Sequence, residues 1–261
     1  MLFVYLYDCK NSLKNLLYIA IILFLSNHLL YAQVEDNSAE GLYFTKEKSY
    51  GIVAHTSGWG IEYRNINNKG AFKKRIKSFE FVSLKNIKEV KVKNAAYNNS
   101  KGFVYGKLYN VWVLRPSYGF QKIIYGKEIK SALQISRIVS IGPSFYFAKP
   151  VYLEVIRKTT DPSIDEITTE RYNPEEHGIS EIYGRSPFAT GIEKSMILPG
   201  AFVKCGFQFD FTPEDDRIKF LEIGSTLDVQ PIGLQQMAFN KKQYLFINLY
   251  LSFAFGKKSY Q

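Results

Sequence analysis

A chain of 261 residues with 46% hydrophobic residues and only two cysteines can bury one sizeable core, and it excludes a small disulfide framework. Its net charge of +10 comes without any aromatic–basic recognition motif, so nucleic acid is not an expected partner. Twenty Phe and nineteen Tyr beside two Trp mark a β-rich composition with Tyr as the amphipathic residue.

The first 32 residues read as an export signal. Lys10 and Lys14 supply positive charge, Leu16 to Leu25 an apolar run, and Tyr31-Ala32 a small-residue end. Such a run is too short for a spanning helix and right for a secretory segment. Cleavage there removes Cys9, leaves Cys205 alone and starts the mature chain at Gln33. No later stretch is apolar for the ~18 residues a helix needs to cross a bilayer. An exported, strand-rich chain is then either soluble or a closed barrel within an outer membrane.

Residues 33–48 form an N-terminal periplasmic segment, and 49–258 are expected to hold eight strands. Tyr50–Thr56 and Trp59–Arg64 flank the short turn at Ser57-Gly58, and the second strand sets Trp59, Ile61 and Tyr63 against Gly60, Glu62 and Arg64. Asn65–Gly70 is a turn rich in residues that tolerate positive φ. A third strand, about Arg75–Leu84, sets Ser78, Glu80, Val82 and Leu84 against Phe79 and Phe81. A lysine-rich loop fills 85–109. In the fourth strand, Val111–Phe120, Trp112, Leu114, Tyr118 and Phe120 oppose Arg115 and Ser117; Pro116 cannot donate to a ladder, so weakened pairing or a bulge is expected there.

The fifth strand, Ser131 to about Phe147, places Leu133, Ile135, Val139, Ile141, Phe145 and Phe147 on one face. Arg137 shares that face, which demands either an interfacial position or a register shift. Residues 157–197 read as a long polar loop with little periodicity. The last three strands alternate most plainly. Val203, Cys205, Phe207, Phe209 and Phe211 oppose Lys204, Gly206, Gln208 and Asp210; after the tight turn Pro213–Asp216, Leu221, Ile223, Leu227 and Val229 oppose Glu222, Gly224, Thr226 and Asp228. Finally Leu245, Ile247, Leu249, Leu251, Phe253 and Phe255 oppose Tyr244, Phe246, Asn248, Tyr250, Ser252 and Ala254. Leu245 to Phe255 matches the ~9–11 residues with which a tilted strand crosses a bilayer.

Eight strands with short turns on one side and long loops on the other carry the outer-membrane signature. With Gly51–Gly60, Val104–Leu108, Leu114-Arg115-Pro116 and Phe147–Tyr152, the chain resembles the small eight-stranded outer-membrane barrels of the outer-membrane protein A type, and uncharacterised barrels of Bacteroidota. The resemblance implies an all-β, antiparallel up-and-down transmembrane barrel in the outer membrane. It brings no catalytic motif and no cofactor. The expected role is non-catalytic: an envelope-structural barrel or a small subunit of a larger complex. The alternatives are a narrow pore, a lipopolysaccharide-modifying enzyme and, in architecture, a soluble periplasmic barrel or sandwich.

In such a barrel Glu62, Arg64, Glu80, Arg115, Lys204, Asp210, Glu222 and Asp228 point into the lumen as a polar network, where charges of both signs would pair. Lys204 with Glu222 is the favoured contact. Val203, Phe207, Phe209, Leu221, Ile223, Leu245, Ile247, Leu249, Leu251 and Phe253 face lipid. His55 with Ser57, and His177 in the acidic loop, are the candidates for hydrolysis, each needing an orienting carboxylate and a nucleophile. The acidic loop lacks the spacing of a calcium loop, so no metal is expected. Lysines in the loop over 85–109 suit phosphate-rich lipopolysaccharide if that loop faces outward. Expected partners are outer-membrane lipid, lipopolysaccharide and other outer-membrane proteins.

Overall fold

The computed structural model describes residues 46–68, 72–97, 100–127, 132–158, 165–212 and 217–259. The export signal, residues 33–45 and the turn Pro213–Asp216 lie outside the described residues.

Thirteen strands are described: β1 (Lys46–His55), β2 (Gly58–Asn68), β3 (Lys73–Leu84), β4 (Lys91–Val92), β5 (Phe103–Val104), β6 (Tyr109–Tyr125), β7 (Gln134–Pro150), β8 (Tyr152–Lys158), β9 (Asp165–Arg171), β10 (Ile182–Arg185), β11 (Met196–Asp210), β12 (Arg217–Leu234) and β13 (Gln243–Ser259). Eight of them close an antiparallel barrel in the order β1-β13-β12-β11-β7-β6-β3-β2. The barrel strands take in Lys46 to Lys48, outside the expected 49–258, and the last strand runs one residue past 258.

Period-two alternation produces this wall. In β1 the burial alternates strictly from Lys46 to Ala54, with Ser49, Gly51 and Val53 inward and Tyr50 and Ile52 outward. The same alternation holds in β13, where Leu245 to Phe255 show the odd-numbered apolar set to the outside. Register fixes which set goes in, since a slip of one residue would exchange the faces.

The ladder between β7 and β11 is uniform through fifteen pairs, so no shift removes Arg137 from the outward face. Arg137 instead lies near the turn end of the barrel, opposite Lys122 on β6 and Phe207 on β11. At Pro116 the pairing with β3 continues, while Arg115, Pro116 and Ser117 have no register partners on β7. A true irregularity falls further on, between Ile123 and Tyr125.

The connections β3–β6, β7–β11 and β12–β13 leave one end of the barrel, here the cap end; Lys46, Ser259, Asn68, Lys73, Tyr125 and Gln134 lie at the other, the turn end. The exception in length is β1–β2, closed by Thr56 and Ser57 alone, with Gly58 at φ 153° where a side chain would strike Ser83.

The long polar loop expected over 157–197 holds regular strands among its described residues. β8, β9 and β10 form a three-stranded sheet, and β4 and β5 add a ribbon from the loop over 85–109. Phe103, Leu153, Val155, Tyr172 and Ile182 are its buried core. Leu108 N–H donates to the Gln236 carbonyl at 2.8 Å and Ala238 N–H to that of Gly106 at 2.7 Å, knitting the cap to the β12–β13 connection.

Candidate functional site

The barrel interior holds seven of the eight expected lumen residues in one ionic network. Three cations meet four carboxylates. Arg64 donates through Nε to Glu62 Oε1 at 2.6 Å and through Nη1 to Glu222. Lys204 donates to Glu80 Oε2 at 3.0 Å and Glu62 Oε1 at 3.3 Å. Arg115 takes Asp228 with two N–H groups and Glu80 with a third. The favoured pair, Lys204 with Glu222, is present at 3.6 Å and is longer than the contacts Lys204 makes across the bore.

Asp210 is buried but stands apart. It accepts from Lys127 Nζ at 3.0 Å and from Thr212 N–H at 2.9 Å at the turn end.

Sequence reading missed the aromatic half of this network. Tyr250 donates its hydroxyl to Glu222 at 2.6 Å, and its ring lies 4.4 Å from the Lys204 ammonium. Phe220 covers Arg64 and Phe202 covers Arg115. Gly206 and Gly224 face one another across β11 and β12, and a Cβ on Gly224 would stand 2.7 Å from the Tyr250 hydroxyl. The paired glycines therefore make room for the ring.

Apolar layers stop the network at both ends. Towards the turn end lie Ile66, Ile76 and Ile138, with Ile218, Phe220 and Ala254. Towards the cap lie Val82, Leu84, Val111, Val113, Tyr146, Ala148 and Leu234. Buried charge survives between such layers only when paired and hydrogen-bonded, as here.

The outside reverses this pattern. Ile247 is 68% exposed, Leu249 65% and Ile141 61%, and large apolar side chains stand outward on all eight strands, including Ile52, Ile61, Phe79, Phe120, Phe207 and Ile223. Val203, Leu245, Leu251 and Phe253 are exposed on the same face, while Phe209 and Leu221, paired across β11 and β12, are half-buried.

Neither histidine has the surroundings of a hydrolytic centre. His55 Nδ1 accepts from Ser57 N–H at 3.3 Å, but the Ser57 hydroxyl turns to Asn248 Oδ1 at 2.6 Å. His177 is buried in the cap. Its Nδ1 accepts from Asn173 N–H at 3.1 Å, which leaves Nε2 as donor to Glu170 at 3.1 Å. Both ring nitrogens are thus occupied, and the nearby Thr168 hydroxyl donates to Glu170 instead, at 2.8 Å. The bonds from Arg157 hold the Glu170 carboxyl down at about 2. The cluster is a clasp joining β8, β9 and the segment after β9.

A second concave feature lies in the cap. A cleft of about 800 Å³ runs between the upper wall of β6 and β7 and the cap segments. Lys85, Lys91, Lys101, Lys107, Lys149 and Arg185 line it against one acidic residue, Glu89. Lys107 Nζ donates to Glu89 at 2.7 Å, with burial pushing its ammonium below the ordinary lysine range, and Lys101 reaches Glu154 at 3.2 Å. Lys149 is different. Only 5% exposed, it has no carboxylate partner among the described residues; its ammonium lies 5.3 Å from the Phe188 ring, which also packs edge-on against Trp112. Along the outward face of β6 and β7 the opposed pairs run Leu114–Phe145, Trp112–Phe147 and Asn110–Lys149, from apolar to cationic.

No protein-family model matches the sequence, and no curated protein does. Solved structures of similar shape include Ail, the attachment invasion locus protein of Yersinia pestis, in complex with the heparin analogue sucrose octasulfate: TM-score 0.40, 8% identity, 82% of this chain and 97% of that one. The N-terminal β-barrel domain of Pseudomonas aeruginosa OprF gives 0.36 at 7% identity, with 80% and 97% covered. Neisserial surface protein A gives 0.37 at 7%, with 82% and 96% covered. At these scores the likeness bears on neither location nor activity.

Proposed function

We propose that the chain is an integral outer-membrane barrel with a non-catalytic role, holding a folded cap at the outer surface of the envelope. The observation that carries this reading is the inversion of the barrel. Large apolar side chains stand exposed on every strand of the wall, while Glu62, Arg64, Glu80, Arg115, Lys204, Glu222 and Asp228 on the same wall are buried. A water-soluble barrel of this size would expose an apolar surface far beyond the few hundred Å² found on monomers. In lipid the same surface is satisfied, and closure leaves no unpaired strand edge.

The solid interior supports a structural role over conduction, since ion pairs and two apolar layers occupy the bore. The histidine geometry favours no lipid-modifying chemistry. The likeness of Gly51–Gly60 and the other quoted segments to Bacteroidota barrels supports a source in that group, with outer-membrane lipid, lipopolysaccharide and neighbouring envelope proteins as its surroundings.

Fractionation tests the location. The protein should sediment with outer membranes, resist sarkosyl and migrate faster on gels before boiling than after. Release by osmotic shock would overturn the reading. Planar-bilayer recording tests the filled bore, and reproducible conductance steps would replace the structural role with a pore. Purification in mild detergent separates a lone barrel from a subunit with a stoichiometric companion.

A further inference from the structure

We infer that the cap cleft binds a phosphorylated saccharide, with Lys149, Arg185, Lys85 and Lys91 taking its phosphates and the aromatic pair Trp112–Phe188 bounding the ring.

The charge is the first ground. Six cationic side chains and one carboxylate line a space of about 800 Å³, within the ordinary range for small-molecule sites. Glu89 and Glu154 answer Lys107 and Lys101, which leaves Lys85, Lys91, Lys149 and Arg185 without acidic partners among the described residues. These four come from the segment after β3, from β4, from β7 and from β10, so they surround the space rather than gather at one point. A ligand that satisfies them carries its negative charge at more than one place.

Lys149 is the second ground. Its neighbours towards the barrel, Tyr146 and Ala148, are fully buried, and it is itself nearly so. A buried ammonium facing only an aromatic ring and a cleft is costly unless an anion completes it. Phosphate oxygens would do so by charge-assisted hydrogen bonds.

Position is the third. The outward row of β6 and β7 turns from Leu114–Phe145 to Asn110–Lys149 at the cleft floor. If the barrel spans the outer membrane, as proposed above, the cations begin where the lipid-facing surface ends. That is the height of a phosphorylated sugar headgroup in the outer leaflet. A free phosphorylated sugar offers the same chemistry, and the test separates the two sources.

The full-length protein in detergent is titrated calorimetrically with glucose 1,6-bisphosphate. In a second arm, native mass spectrometry compares lipid A bearing two phosphates with its dephosphorylated form. Saturable, salt-sensitive binding of the soluble sugar supports a free ligand; retention of only the phosphorylated lipid supports the headgroup. In either case Lys149→Met and, separately, Arg185→Gln should weaken binding at least about tenfold, the size expected for a charge-assisted contact. Lys77→Met, on the barrel wall away from the cleft, should leave it unchanged. Because Arg185 is exposed, its variant remains informative should Lys149→Met fail to fold. Absence of binding in both arms, or equal binding by Arg185→Gln and the parent chain, overturns the site. The soluble-sugar titration does not depend on membrane location, so it can succeed even if fractionation rejects the membrane reading.

Discussion

Arg115 holds Asp228 across the bore with two parallel hydrogen bonds, Nε to Oδ1 at 2.9 Å and Nη2 to Oδ2 at 3.0 Å. The two strands are not neighbours: β11 and β7 stand between β12 and β6 in the barrel order. The pair is therefore a strut rather than a cross-strand contact. Arg115→Met leaves Glu80 and Asp228 facing each other without their shared cation. Loss of one partner of a buried pair costs about 3–5 kcal/mol. Urea unfolding in detergent, followed by the heat-dependent gel shift, should register a fall of that size; an unchanged midpoint would show the strut to be dispensable.

The paired glycines beneath Tyr250 give a second expectation. Gly206→Ala puts a methyl group nearest the Tyr250 hydroxyl, and next nearest the Ile223 carbonyl, and must push the phenol away from Glu222. Overpacking of this kind costs about 1–3 kcal/mol. Combining it with Tyr250→Leu should recover part of the loss to crowding, although Glu222 then lacks one donor. Fully additive losses in that double variant would rule out the contact as the cause.

The clasp in the cap has a pH signature. The folded Glu170 carboxyl is depressed to about 2 from an ordinary 4.5, chiefly through its bonds with Arg157. A depressed carboxylate contributes its stability above the unfolded value and loses it as pH falls through the folded one. The cap should thus hold at pH 5 and loosen progressively between about 4.5 and about 2. Limited pepsin digestion across that window should cut first within 151–195. Glu170→Gln should show similar cutting at the upper end of the window, and a pH-independent pattern in the parent chain would exclude this clasp.

Cys205 offers a probe of depth. It is half-buried on the outward side of β11, between Val139 on β7 and Ser225 on β12. A membrane-impermeant maleimide should leave it unmodified in intact outer membranes and label it after denaturation in SDS. Rapid labelling of the folded protein in membranes would place that part of the wall in water.

The barrel was legible because each wall strand carries its own alternation. From Leu245 to Phe255 the pattern alone tells inside from outside, and Glu80 opposite Arg115 follows once β3 and β6 are in register. Contacts across the bore were not legible. Lys204 on β11 prefers Glu62 and Glu80 on β2 and β3, which only closure brings near, to the expected Glu222 on the adjacent strand. The cap was hidden for a related reason. Its core draws Phe103 from one connection and Leu153, Val155, Tyr172 and Ile182 from another, so no single segment shows a sustained period. Lys149 gave no local cue: alternation puts it on the outward face with Phe147, and only the folded cap leaves it 5% exposed.

The first strand of the wall is hydrogen-bonded to the last, from Lys46–Ser259 through His55–Tyr250. A growing polypeptide cannot make that seam until nearly all of it has been synthesised, and until then both margins of the half-built cylinder are adhesive. Assembly is therefore a single late event, governed by contacts between the most distant parts of the chain. A variant stopped before Gln243 should yield sticky, protease-sensitive fragments instead of a seven-strand intermediate.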